Sequence, residues 1–508
     1  MIIEDKLSLE SLIKVARNYE KVELSKKAVE RIEKSRKNVE RFLKSGKAIY
    51  GINTGFGALA NVKISKNEIN DLQTNLVRSH SAGVGGIFNE ETVRAMMLLR
   101  AFSLSKGFSG VRIDVVRGIL DMLNHRITPI VPSQGSVGAS GDLAPLAHIA
   151  LAMMGEGEVF YNRQRVSAEF ALEREGLKPL KYEAKEGLAL TNGTQAITAV
   201  LALTVYDAKI LFESSLIIAS ISMDALKSST VPLDPRIHEL RPYKGQKYVA
   251  EKILRYLEDS EIRKSHLNCP KVQDAYSLRA IPQVLGAVKD TIDYVEKVTL
   301  TEMNSVTDNP LIFEDGALSG GNFHGEPVAL ASDFLAIAIS ELANIAERRI
   351  DRLVNPLVSG LPPFLATGKA GLNSGMMIWQ YTAASLVSEN KVLAHPASID
   401  SIPTSAYQED HVSMGTIAAR KLRMILENAT KVVAIEGMVA SHAIRFHAPL
   451  KTGKKLEKYV ELLRDHDTEK AKRDTYLGKH FEEILKRIKS GSMIKGGNKC
   501  VQKNCLST

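Results

Sequence analysis

The stretch Ala418-Ala-Arg-Lys-Leu422-Arg-Met-Ile425-Leu-Glu-Asn-Ala429-Thr-Lys-Val432 decides the fold class. Its numbered apolar residues are spaced alternately by four and three, the period of one helix face. The same spacing recurs outward along the chain. Ser25 is a candidate N-cap for a helix that puts Val29, Ile32, Val39 and Leu43 on one face, with Gly46 as its stop. Between Glu68 and Ala82, Leu72, Leu76 and His80 share a face. Ser332 is a candidate cap for a stripe of Leu335, Ile339, Leu342 and Ile345. Strand signals are few, and neither a βαβ rhythm nor a repeat period emerges. The pattern predicts a mainly α protein, a long-helix bundle with a smaller N-terminal region of helices and loops. The expected divisions are residues 1–110, 111–448 and a short, charged, helical region 449–508 that ends in a loose tail from Gly496.

Composition narrows the class. Of 508 residues, 44% are hydrophobic and 25% charged, which excludes a long disordered chain. Cys269, Cys500 and Cys505 are too few for a disulfide framework and suit a reducing cytoplasm. The N-terminus carries acids early and has no apolar core of a signal peptide. The longest uncharged run, Gly187–Tyr206, holds Asn192, Gly193, Thr194 and Gln195 near its start, which suits a buried soluble segment better than a membrane span. A net charge of +9 is mild and dispersed, and no nucleic-acid-binding signature accompanies it. No nucleic-acid or membrane partner is expected. His442 and His447 are five apart rather than four, and no cysteine pair attends them, so no metal is expected.

The most informative segment is Gln134-Gly135-Ser136-Val137-Gly138-Ala139-Ser140-Gly141-Asp142-Leu143. Asp142 is a candidate cap for a helix through Ala144, Ala147, Ile149 and Met153, ending near Gly155. One reading is a helix cap with a tight turn. A second is an anion site at a helix N-terminus, although no Gly-Lys-Ser/Thr follows to make a phosphate loop. A third is chemical. The amide nitrogen of Gly141 can attack the carbonyl of Ala139, since glycine has no Cβ to hinder the approach. Loss of water from the ring and of the Ser140 hydroxyl then leaves a five-membered ring with an exocyclic methylidene, an electrophile that none of the twenty side chains supplies.

Six further segments accompany it in order. They are Tyr50-Gly-Ile-Asn-Thr-Gly-Phe-Gly57, Gly187-Leu-Ala-Leu-Thr-Asn192-Gly-Thr-Gln195, Gln273-Asp-Ala-Tyr276-Ser-Leu-Arg279, Asn304-Ser-Val-Thr-Asp-Asn-Pro310, Gly320-Gly-Asn322-Phe323-His324 and Gln408-Glu409-Asp410-His411-Val-Ser413. Together with the central segment they resemble the motifs of the aromatic amino acid ammonia-lyases and span most of the chain. The resemblance implies a fumarase/aspartase-like helical fold, a homotetramer with sites built from more than one chain, and a 4-methylidene-imidazol-5-one (MIO) formed from Ala139, Ser140 and Gly141, with no external cofactor. Ser79-His80 and Glu409 resemble the histidine branch; tyrosine lyases carry His-Leu and phenylalanine lyases Phe-Leu at the first pair, and both carry Asn-Gln-Asp at the second place. The branch implies conversion of L-histidine to trans-urocanate and ammonia. The chemistry agrees, because a histidine and a carboxylate can pair with both imidazole nitrogens, whereas a phenyl ring leaves a buried carboxylate unpaired.

By the same resemblance Tyr50 is the base that takes the β-proton. Its ordinary pKa of about 10 has to be lowered for that work, and nearby helix N-termini are the expected cause. Arg279 and Asn192 are expected to hold the substrate carboxylate, His80 and Glu409 the ring, and Tyr276, Gln273 and Phe323 to lie beside the electrophile or the substrate. Ala275, Ile281 and Gly325 depart from the family's usual residues. Two alternatives remain: a tyrosine or phenylalanine lyase or aminomutase of the same family, and a catalytically inactive helical scaffold.

Overall fold

The computed structural model describes residues 1–45, 49–267, 272–369, 371–466, 471 and 473–495. Gly46, Cys269, Cys500, Cys505 and the tail from Gly496 lie outside them. The protein is mainly helical, and its strands are short ribbons of two or three. The chain divides into two compact units: Met1–Leu203 with Glu296–Asp333 and Pro396–Arg420, and Thr204–Val295 with Phe334–His395 and Lys421–Thr508.

In the first unit, three helices pack against one another, Ile69–His80, Leu143–Met153 and Glu186–Thr191. Ile69, Gln73, Leu76 and Val77 are the buried residues of the first helix, so the face is rotated from the one expected, and Leu72 and His80 are half-buried. Glu186, fully buried, anchors the third helix by accepting hydrogen bonds from the backbone N–H and guanidinium of Arg112. Behind it the buried pair Lys185 and Asp308 closes at 2.8 Å. A ribbon pairing Val84–Ile87 with Pro132–Gln134 carries the chain into the glycine-rich segment. The helix Lys26–Ser45 forms as expected, with the Ser25 hydroxyl accepting from Ala28 N–H.

The second unit contains the helices Lys244–Leu257, Met377–Leu393, Lys454–Leu463 and Gly478–Lys489. Here the buried Arg349 guanidinium pairs with Glu436 at 2.5 and 2.9 Å, and Ser222 donates to the same carboxylate. Asp224 accepts from the Ser260 and Thr452 hydroxyls, and burial raises its pKa. His442 and His447 each spend Nε2 on a backbone carbonyl, of Leu365 and Ala225 respectively. Among the described residues, no three His, Cys, Asp or Glu side chains gather as a metal site.

Four long helices carry residues of both units: Gln195–Ala225, Ile281–Met303, Glu326–Val354 and Gly415–Ile444. The last buries Ala418, Leu422, Ile425, Ala429 and Val432, the stripe read from the sequence. The first and third are long and apolar enough to cross a membrane, but 78% and 67% of their apolar windows are buried by the protein itself. Two caps differ from expectation. Ser332 lies inside the helix that begins at Glu326, and its hydroxyl donates to Val328 O. Asp142 occupies the N-cap position of Leu143–Met153, yet its carboxylate makes no capping bond. It turns inward instead, because three donors from other segments meet it there.

Candidate active site

The three-helix packing of the first unit brings functional segments to helix ends. Ser140 and Gly141 precede the start of Leu143–Met153, Asn192 ends Glu186–Thr191, and His80 ends Ile69–His80. The Ser140 hydroxyl donates to Glu409 Oε1 at 2.8 Å. The Asn192 amide donates to the Ser140 carbonyl at 3.1 Å. Thus a carboxylate holds the side chain of Ser140 while an amide N–H holds its backbone oxygen. Asn192 Oδ1 is buried without a partner among the described residues.

Behind this residue the backbone is crowded. Gly141 has φ +75°, and a Cβ there would stand 2.2 Å from Gly193 O. Gly193 has φ +151°, and its Cβ would stand 2.4 Å from Thr307 O and 2.5 Å from Arg100 Nη1. Only glycine fits either position. Asp142 N–H donates to Gly193 O at 2.7 Å and fixes the approach. Arg100, fully buried, donates from Nη1 to Asn192 O and to Gln195 Oε1, and Gln195 in turn donates to Thr307. Burial lowers the Arg100 pKa to about 10, so its charge persists at neutral pH.

The Asp142 carboxylate accepts from Ser136 Oγ, Thr416 Oγ1 and Ile197 N–H at 2.7 to 2.9 Å. It joins the glycine-rich loop to the beginnings of two long helices. Complete burial raises its pKa against the pull of those donors. The loops carrying Phe323 and Glu409 are tied to the same loop. Gly325 N–H and the Ser413 hydroxyl both donate to Gly138 O, and Met414 N–H donates to Val137 O. His324 stacks parallel on His411 with ring centroids 5.7 Å apart and donates from Nε2 to His411 O. Phe323 is half-buried on this turn.

Glu409 is held on its other oxygen by Thr404 Oγ1 at 2.7 Å, across a narrow turn. Within it Ser405, Ala406 and Tyr407 all have positive φ, which for residues with a Cβ stores about 1 kcal/mol or more each. Ser405 Oγ accepts from Ala58 N–H and so links this turn to the Tyr50 loop. Tyr50 packs edge-on against Phe56, and its hydroxyl accepts weakly from Gly57 N–H at 3.4 Å. Its pKa lies above the ordinary value. Burial is the main cause, the Glu409 charge adds to it, and the Gly57 N–H opposes both. The lowering expected from the sequence is outweighed by desolvation of the phenolate. His80 is held neutral by burial, with Glu409 as its nearby opposing charge. One carboxylate therefore acts on Ser140, Tyr50 and His80 together.

Gln273, Tyr276 and Arg279 belong to the second unit, where they form a cluster of their own. Arg279 donates to Gln273 Oε1 at 2.6 Å and lies 4.7 Å over the Tyr276 ring, which is 74% exposed. Asn192, expected on a substrate carboxylate, gives one of its two amide hydrogens to the Ser140 carbonyl.

Residues 7–465 match the aromatic amino acid lyase family. The chain is 55% identical over 463 residues, 90% of each chain, to a histidine ammonia-lyase of Caldanaerobacter subterraneus subsp. tengcongensis. It is 50% identical over 99% of each chain to a histidine ammonia-lyase of Alkaliphilus oremlandii. The crystal structure of histidine ammonia-lyase from Trypanosoma cruzi superimposes with a TM-score of 0.90 at 41% identity, covering 98% of this chain and 94% of that one. The chain belongs to the aromatic amino acid lyase family.

The MIO group of such lyases is made from an Ala-Ser-Gly triad, and the residues here fit it. The triad needs a glycine whose nitrogen approaches a carbonyl two residues back, and Gly141 sits where no other residue is accommodated. It also needs a serine hydroxyl that can leave, and Glu409 faces that hydroxyl. In this lyase the sequence reading passed over Arg100, Thr404 and Ser405, which work through others. Arg100 stands among ordinary helical residues of Glu90–Ser105, so nothing local marks it. Three consecutive left-handed residues around Ser405 have no glycine to signal them.

Proposed function

We propose that this protein is a histidine ammonia-lyase, which eliminates ammonia from L-histidine to give trans-urocanate. The observation that carries the reading is the hydrogen bond from Ser140 to Glu409, which puts a carboxylate able to pair with an imidazole N–H beside the triad. The identity to histidine ammonia-lyases supports it.

An MIO formed from Ala139, Ser140 and Gly141 supplies the electrophile at the former Ser140 side chain. Asn192 holds the Ser140 carbonyl with an N–H donor, which favours negative charge on that oxygen. Arg100 fixes the Asn192 peptide and adds a buried positive charge behind it. With an MIO in place of the Ser140 hydroxyl, Glu409 Oε1 would be free to accept from a substrate N–H. His80 pairs with the ring. Tyr50 accepts the β-proton at its hydroxyl oxygen once ionised. Arg279 binds the carboxylate through its guanidinium fork, with Gln273 and Tyr276 positioning it. Phe323 flanks the electrophile. The exposure of Tyr276 suits a homotetramer in which neighbouring chains complete each site, and the scarcity of cysteine suits the cytoplasm.

The test is urocanate absorbance with histidine as sole substrate, beside parallel assays with tyrosine and phenylalanine. Growth with histidine and not with the other two is expected. Preference for tyrosine or phenylalanine leaves the lyase chemistry and overturns the histidine assignment; no turnover of any of them points to an inactive scaffold.

A further inference from the structure

Arg100 lies inside the helix Glu90–Ser105, which is buried along nearly its whole length. The residue is 1% exposed. Nη1 alone makes its two hydrogen bonds, to Asn192 O at 2.9 Å and to Gln195 Oε1 at 2.8 Å. Nε and Nη2 are buried without a partner among the described residues. Asp308 is the carboxylate whose charge it feels, and that carboxylate is already held by Lys185 at 2.8 Å. A buried cation whose hydrogen bonds go only to neutral oxygens is destabilising, so its place needs a reason beyond the fold. The reason lies in the peptide group it touches. The Asn192 carbonyl and the Gly193 N–H are the two ends of one peptide group. Gly193 pairs with Gly141 as a single parallel bridge. In such a pair the central residue accepts from one neighbour of its partner and turns its own N–H toward the other. Gly193 O accepts from Asp142 N–H at 2.7 Å. Gly193 N–H therefore faces the Ser140 carbonyl, to which the Asn192 side-chain amide donates at 3.1 Å. One peptide group thus carries a guanidinium on its oxygen and turns its hydrogen to Ser140 O. Hydrogen bonds in such a chain polarise one another, and a buried charge at its end strengthens the donor at the other.

We propose that Arg100 is a positioning residue for maturation of the triad, acting through the Asn192–Gly193 peptide to favour negative charge on the Ser140 carbonyl oxygen. This rests on the reading of Ala139, Ser140 and Gly141 as the source of an MIO. Ring closure joins Gly141 N to the Ala139 carbonyl carbon. The Ala139 oxygen leaves as water with the amide hydrogens of Gly141 and Ser140, and a C=N bond to Ser140 N remains. A second water takes the Ser140 hydroxyl and the Ser140 Cα hydrogen, and a Cα=Cβ bond forms. As the Cα–H bond breaks, its electron pair is shared with the Ser140 carbonyl, where donors aimed at the oxygen lower the barrier. Ring closure instead places charge on the Ala139 oxygen. The second loss of water is therefore the step that depends on Arg100.

The experiment follows intact mass of the full chain at intervals after a short pulse of synthesis, in wild type, Arg100→Gln, Arg100→Lys and Gln195→Glu, with circular dichroism to confirm the fold. Wild type is expected to lose two waters. Arg100→Gln keeps a donor and loses the charge, so the full two-water loss should slow about tenfold or more, and chains short of it should accumulate. Arg100→Lys keeps the charge, and one nitrogen makes both bonds in the native residue, so maturation should return to within about threefold of wild type. Gln195→Glu leaves Arg100 in place and sets a carboxylate against its Nη1, which draws the charge off the Asn192 carbonyl; maturation should slow as in Arg100→Gln. A folded Arg100→Gln that matures at the wild-type rate overturns the proposal, as does a lysine variant as slow as the glutamine one. If Arg100→Gln does not fold, Gln195→Glu decides, and its maturation at the wild-type rate overturns the proposal. Active wild type at its full sequence mass fails the MIO reading itself, whereas a two-water loss in wild type with indifferent variants fails only this assignment.

Discussion

At the scale of single residues, the site is organised by one carboxylate. Glu409 accepts from the Ser140 hydroxyl, and its charge acts on the Tyr50 phenol and the His80 imidazole. Tyr50→Phe removes the proposed base and little volume, so kcat and kcat/KM should fall together by about a hundredfold or more. A near-normal kcat would assign the β-proton to another group. The raised pKa of Tyr50 sets a pH dependence. A base works only when ionised, and its ionised fraction grows as pH approaches a value above the ordinary one of about 10. The limb of kcat/KM should therefore still be rising at that pH. Glu409→Gln removes a negative neighbour that favours the neutral phenol, so the limb should move to lower pH even as turnover falls. A limb that stays in place or moves up would remove Glu409 from the surroundings of Tyr50. For Ser140, intact mass is the readout. Active wild type should be lighter than its sequence by two waters, and Ser140→Ala, which has no hydroxyl to expel, should lack that second loss and be inactive. Full sequence mass in active protein would exclude the prosthetic group.

Elements meet at Asp142. Its carboxylate accepts from the glycine-rich loop through Ser136 and from the first turns of Gln195–Ala225 and Gly415–Ile444 through Ile197 and Thr416. Asp142→Ala leaves these donors unpaired in a buried place, and about 3 kcal/mol of stability should go with them. Asp142→Asn should lose less, since its amide can face the two hydroxyls, which also accept, while its oxygen keeps Ile197 N–H. Thermal or denaturant unfolding of the two variants should rank alanine below asparagine below wild type. Equal stabilities would mean that the carboxylate does not join these elements. The periodicity made the long helices legible, Gly415–Ile444 above all, because one stripe repeats at helical spacing. It did not mark where Glu326–Val354 begins. Ser332 looks like a cap and is an interior residue, since its hydroxyl is equally satisfied by Val328 O one turn back.

Across the whole molecule, apolar side chains remain exposed on helices of the second unit. Phe334 and Ile337 lie on Glu326–Val354, Ile378, Tyr381 and Val392 on Met377–Leu393, and Met424 on Gly415–Ile444. Such side chains suit burial against another copy of the chain. Light scattering or sedimentation should return the mass of about four chains, and Val392→Asp, at a position 75% exposed here, should weaken assembly and lower activity while each chain stays folded. A fully active monomer would show that each chain completes its own site.

The sequence by itself determined the helical class and the chemistry on offer. Both are local properties: apolar spacing within one helix, and glycines, a serine, a tyrosine, a histidine and a carboxylate in short motifs. Even Gly141 was legible, because its requirement arises from its own backbone. Only the tertiary structure decided which distant groups meet. Ser140 and Glu409 are 269 residues apart, and their contact depends on Thr404 and on the three left-handed residues Ser405, Ala406 and Tyr407, which no local pattern announces. The Asn192 amide reaches the Ser140 carbonyl because the Glu186–Thr191 helix ends there. Asp142 exchanged a cap for a three-way junction because packing brought donors from Ile197 and Thr416 to it. Spacing records which way a side chain faces on its own element, while long-range contacts are set by how the elements bury their faces against each other.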